Sequence, residues 1–179
     1  MKMEKLFWLD MEMSGLDPVQ NRILEVAVII TDLELNTLKT FETAVYQPPE
    51  VLTAMDAWCT EHHGKSGLTA RVPEGLAETE VETVLLRLAN EQMGNERVIL
   101  CGNSISQDRK FVEMYFKQFE KKLHYRMLDV SSFKLIFEHK YKQKFKKENK
   151  HRALDDIKES IAEFKFYLNF ISVPEIVKG

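Results

Sequence analysis

Residues 23–31, Ile-Leu-Glu-Val-Ala-Val-Ile-Ile-Thr, are almost wholly apolar and rich in β-branched side chains, the composition of a central strand buried on both faces. Such a strand needs cover above and below, so the rest of the chain must supply layers on either side of a sheet. Residues 6–13 form a second apolar stretch of strand length, bounded by the turn signal Ser14-Gly15-Leu16-Asp17-Pro18. Residues 38–46 read as a third strand, and residues 32–36 are compatible with a hairpin connection. The three form an antiparallel meander that Pro48-Pro49 stops.

Beyond that stop the pattern is helical. It predicts a helix over 50–57, a polar loop over 59–67 and an amphipathic helix over 76–90. A buried strand over 98–102 follows, then a helix over 107–119, a short strand over 126–130 and a helix over 131–139. The last helix spans 153–170, where Leu154, Ile157, Ile161, Phe164 and Leu168 recur at three- and four-residue spacing and form a core stripe. The order βββαβαβα places a mixed sheet between helices, an α/β arrangement compatible with a ribonuclease-H-like fold. A length of 179 residues suits one domain, with its core over about residues 6–170 and a loose tail over 172–179.

Charge narrows the function. The net charge is −3, which argues against a protein that grips long nucleic acid over an extended basic surface but not against one that takes a short piece. Residues 140–150 are the exception, a lysine-rich stretch with interleaved aromatics that reads either as a solvated loop or as an attractor of phosphates. No apolar span is long enough to cross a membrane and no cleavable signal precedes the first strand, so a cytoplasmic location is expected. Two cysteines, Cys59 and Cys101, make no disulfide framework and fit a reducing compartment.

The chemistry lies in three acidic fragments. Asp10 and Glu12 project from one face of the first strand because a strand has period two. Strand carboxylates at this spacing often face water, but here Leu9 and Met11 between and before them are apolar and the strand runs into a glycine-containing turn. Two carboxylates on a half-buried strand are costly unless a cation lies between them. Asp108 sits early in a helix, where a negative charge is favourable in any protein. It also follows Gly102-Asn103-Ser104-Ile105-Ser106, a strand-to-helix turn with small side chains and N–H groups suited to a phosphate. Asp155 and Asp156 open the last helix, and the helical period turns Asp156 nearer to the apolar stripe, which weakly favours it as the inward ligand. His151, just before that helix, is either a surface histidine or a base with an unperturbed pKa of about 6.5.

Taken together, the segments 8–18, 58–68, 101–111, 124–131 and 151–157 resemble the DEDDh 3′-to-5′ exonuclease family, in order and with family-like spacing. Within it they are most similar to members that act on very short RNA. The resemblance implies hydrolysis of oligoribonucleotides, especially dinucleotides, to nucleoside 5′-monophosphates. It implies Asp10, Glu12, Asp108 and Asp156 as ligands of two divalent ions, Mg²⁺ or Mn²⁺, and His151 as the general base. Leu16 matches an apolar wedge between the two bases, and Trp58 and His63 match the 3′ side of the pocket. Ser104, Tyr125, Arg126, Ser131 and Ser132 match the region that closes around the 5′ phosphate, partly across a homodimer interface. Ser132 departs from the family's threonine but keeps the hydroxyl.

Oxygen ligands suit such ions, and two of them about 3.5–4 Å apart hold the attacking and leaving oxygens of an in-line displacement. The nearest alternative is a DEDDh exonuclease acting on longer RNA or DNA 3′ ends, which the acidity of the chain disfavours. A binding module that has lost catalysis would not need competent residues at all the catalytic positions.

Overall fold

The computed structural model describes residues 4–146 and 152–172. Its first three strands are β1 (Lys5–Met13), β2 (Ile23–Asp32) and β3 (Thr37–Ala44), which pair antiparallel as the meander predicted. Two further strands, β4 (Val98–Gly102) and β5 (Leu123–Asp129), run parallel to β1 and give a five-stranded mixed sheet in the order β3-β2-β1-β4-β5. The expectation of an α/β sheet flanked by helices, of ribonuclease-H-like type, holds.

Alternation along the strands builds two cores. Phe7, Leu9 and Met11 face one side with Val26, Val28 and Ile30, and are covered by α4 (Glu78–Met93) and α5 (Ser106–Tyr115) through Val81, Leu85, Phe111 and Val112. Leu6 and Trp8 face the other side with Ala27 and Ile29, and are covered by α7 (Val130–His139) and α8 (Ala153–Leu168) through Phe137, Ile157 and Phe164. Even-numbered residues of β1 therefore point toward α8. That parity decides where Asp10 and Glu12 go.

Between β3 and α4 the chain differs from the sequence reading. The helix expected over 50–57 is the short α1 (Pro49–Thr53), and the expected loop over 59–67 is mostly α2 (Ala57–Lys65). The Asp56 carboxylate starts α2 by accepting the Cys59 N–H at 2.7 Å. A short α3 (Leu68–Arg71) and a 3-10 turn (Val72–Glu74) follow, neither of them foreseen. The helix expected over 107–119 breaks at Phe116 into α5 and α6 (Lys117–Glu120), because Phe116 takes φ −117° and ψ 61°, which no α-helix accommodates. In α8 the buried stripe is Ala153, Ile157, Phe164 and Tyr167 with Ser160 and Glu163, while Leu168, placed in the core by its spacing, is exposed at the helix end.

Candidate active site

Because β1, β4 and β5 are parallel, their carboxyl ends meet at one edge of the sheet, where open α/β folds place their ligands. Asp10 and Glu12 lie at that end of β1, Gly102 ends β4 and Asp129 ends β5. A Cβ at Gly102 would stand 2.9 Å from the Leu9 carbonyl oxygen, so glycine permits the close crossing from β4 into α5.

Asp10 pairs across the sheet with Ala27, whose methyl group leaves room above the strand for a helix. The first turn of α8 enters that room, and the carboxylates of Asp10, Glu12 and Asp156 come within 4.8 Å of one another. Asp155, its sequence neighbour, turns outward to Lys158 at 3.0 Å. Asp108 enters from α5, nearly buried, and its Oδ1 accepts the Met11 N–H at 2.9 Å. All four acids thus surround the carboxyl end of β1.

Their electrostatics record the crowding. The carboxyl of Glu12 is pushed up to about 8, first by burial and then by the charges of Asp156, Glu25 and Asp108, with Arg152 opposing them. Burial also holds Asp108 well above the ordinary carboxylate range, against the Met11 hydrogen bond that favours its charged form. Gathered carboxylates that resist ionisation together are a donor set for a hard divalent cation, which would restore the charge on each.

Asp10, Glu12 and Asp108 line a cleft of about 510 Å³ together with Leu16, Trp58, His63, Asn103 and Ser104. This is the size of a small-ligand site. Leu16 stands at the tip of the β1–β2 turn with 77% of its surface exposed, and Gln107 of α5 holds that turn by donating from Nε2 to the Leu16 carbonyl at 2.6 Å. Trp58 stacks on His62 one helical turn later, ring centroids 3.9 Å apart. His63 lies 2.9 Å from the Met13 carbonyl through Nε2. A carbonyl only accepts, so Nε2 carries the proton and Nδ1 is an acceptor, 3.9 Å from the Glu12 carboxylate. Burial lowers the pKa of the ring. Cys59 also borders the cleft, but burial pushes its thiol up to about 11, too high for a nucleophile.

Of the remaining predicted residues only Ser104 borders the cleft. The Ser104 N–H donates to Asp129 Oδ1 at 2.9 Å, and the Ser131 hydroxyl is bound to the same oxygen at 2.5 Å. Ser132 borders a separate hollow beside Phe133 and Ile136. Tyr125 is 72% exposed on the edge strand β5 with the Arg126 guanidinium 5.3 Å from its ring centre, and neither lines the cleft of its own chain. His151 lies outside the described residues, as do residues 147–150 of the lysine-rich stretch and 173–179 of the expected tail.

Two residues of the site were missed in the sequence, Gln107 and Glu25. Glu25 carried a signal, since an acid flanked on both sides by apolar strand residues must have buried partners.

The chain matches the exonuclease family of RNase T type over residues 7–164. It is 46% identical over 167 residues to an oligoribonuclease of Francisella tularensis, covering 92% of this chain and 94% of that protein. An oligoribonuclease of Pseudomonas aeruginosa is 44% identical over 171 residues with the same coverage. Among solved structures, exonuclease I from Methylocaldum szegediense superposes with a TM-score of 0.70 at 18% identity, over 92% of this chain but 42% of that one. E. coli exonuclease I in complex with a dA16 oligonucleotide gives 0.68 at 12% identity, over 89% of this chain and 40% of that one. The chain thus spans less than half of the exonuclease I chains, with which it shares a fold, and nearly the whole length of the curated relatives. On the family match and the near-complete correspondence with those relatives, the chain belongs to the exonuclease family, among the oligoribonucleases.

Proposed function

We propose that this protein is a 3′-to-5′ exoribonuclease that hydrolyses very short oligoribonucleotides, especially dinucleotides, to nucleoside 5′-monophosphates. The observation that carries the reading is the convergence of Asp10, Glu12 and Asp156 within 4.8 Å beside a cleft that also contains Asp108. These residues would hold two divalent ions, Mg²⁺ or Mn²⁺, the metals that oxygen ligands favour. When bound, such ions neutralise phosphate charge and acidify water.

The chain's own residues do the rest. Leu16 and Trp58, exposed at the mouth of the cleft, offer apolar surfaces to the two bases, and His63 backs the 3′ nucleotide. His151, adjacent in sequence to Arg152, accepts the proton of the attacking water. The water oxygen bonds to phosphorus while the bond to the preceding nucleotide's 3′ oxygen breaks, and that oxygen is protonated as it leaves. We assign Ser104, Arg126, Ser131 and Ser132 to the 5′ phosphate, for which the Arg126 guanidinium offers a bidentate fork. The exposure of Tyr125 on an edge strand, outside its own cleft, supports a homodimer in which each subunit's Tyr125 serves the partner's site. Among the described residues no helix is long and apolar enough to cross a membrane, and the free, buried Cys59 and Cys101 support a cytoplasmic location.

A 5′-labelled RNA ladder of about two to ten nucleotides, incubated with and without divalent metal, tests this reading. Dinucleotides should be cut fastest and all cutting should stop in chelator. Equal rates along the ladder would favour an exonuclease of longer 3′ ends, and undiminished cutting in chelator would refute the metal site.

A further inference from the structure

Glu25 is fully buried near the start of β2, directly across from Glu12 and on the same face. It is not left alone there. Its Oε1 receives Arg71 Nη1 of α3 at 2.6 Å and Arg152 Nη2 at 3.3 Å, and its Oε2 accepts the backbone N–H of Ala153, the first residue of α8, at 3.2 Å. Arg152 also reaches Glu42 of β3 at 2.6 Å. One carboxylate in β2 therefore collects two guanidinium groups and a helix-terminal amide from separate parts of the chain.

These partners flank the cleft. Arg152 and Ala153 lead into α8, which carries Asp156 three residues later, and His151 directly precedes them. Arg71 ends α3, which packs against α2, the helix that carries Trp58 and His63. Asp156 meets Asp10 and Glu12 only if α8 starts at the correct height above β1, and packing of its apolar stripe leaves sliding along the sheet less restrained than a directed hydrogen bond does. The Glu25 bonds supply that direction.

We propose that Glu25 is a positioning residue for phosphodiester hydrolysis, fixing the start of α8 so that Asp156 meets Asp10 and Glu12, and tying that helix to the α2–α3 wall of the cleft. This rests on the function proposed above. A carboxylate is required because all its partners are donors, so an amide in its place would turn its NH₂ toward another N–H.

Glu25→Gln tests the proposal at constant shape, and Arg152→Met provides a second variant at a side chain that is partly exposed, with Arg71 left to neutralise Glu25. Both should melt cooperatively. Both should lower kcat on a dinucleotide by about tenfold to a hundredfold while KM moves less than about threefold, the pattern of misplaced catalytic groups. Mn²⁺ titration of the substrate-free proteins should show weaker binding by about tenfold, a property that mere loss of folded protein would not change. Arg152→Lys, which keeps the charge, should restore most of both. Folded Glu25→Gln with kcat and Mn²⁺ affinity within about twofold of the parent would overturn the proposal. A parent protein that binds Mn²⁺ but cuts no RNA would instead overturn the proposed function, and the titration would still decide the role of Glu25.

Discussion

Asp155 and Asp156 are chemically identical neighbours that the fold sends in opposite directions, one to Lys158 on the surface and one to the acids of β1. Asp156→Asn should abolish dinucleotide hydrolysis, whereas Asp155→Asn should keep most of it. Steady-state rates of the two purified variants, alongside their melting curves, decide the matter, and equal losses in folded proteins would reject Asp156 as the ligand. Glu12 gives a second prediction, about stability. Its carboxyl stands near 8 in the fold against 4.5 ordinarily, so between those values the native state binds a proton that the unfolded chain has released. Stability must then fall as pH rises: the contribution is complete below about 4.5 and lost through about 8. Melts of chelated protein from about pH 5 to pH 9 should show the decline, and added Mg²⁺ should reverse it at the alkaline end. A melting temperature that climbs with pH in chelator would contradict the crowded-carboxylate picture.

At the scale of elements, the β1–β2 turn is the part of the cleft wall held by side chains of a helix. Gln107 bonds the Leu16 carbonyl, and the Tyr115 hydroxyl lies 2.6 Å and 2.8 Å from the carbonyls of Asn21 and Pro18. Gln107→Ala should release Leu16 at a cost of about 1 kcal/mol, the worth of one hydrogen bond, and so weaken binding of a non-hydrolysable dinucleotide several-fold. Calorimetry on the parent and variant checks it; unchanged affinity would mean that the turn is held by Tyr115 alone. The elements also differ in how readily the sequence reveals them. β1, β2 and β4 are legible because their apolar runs admit no other use, and α8 because its stripe has helical period. α2 was hidden because its inward residues are Cys59 and His63 while its one large apolar side chain, Trp58, faces out, which leaves no stripe to read. β5 was legible only in its second half, since the bulge around Tyr125 interrupts the alternation. The acids Asp10, Glu12 and Asp108 could be picked out by spacing, but Gln107 and Glu25 act through partners between 46 and 128 positions away, and no local pattern contains those distances.

The whole molecule is a sheet whose functional edge is supplied by the first strand and the last helix of the described chain. The meander is local and can pair as soon as residues 5–44 are available, and β4 and β5 add to it through helical crossovers. Asp156 belongs to α8, which packs across β1 and β2 from the far end of the sequence. A nascent chain of only residues 1–152 therefore holds every strand of the sheet and Asp10, Glu12 and Asp108, but lacks Asp156 and the helix that carries it. The order of synthesis thus brings the acid of α8 to the carboxyl end of β1 last, after every strand has been made.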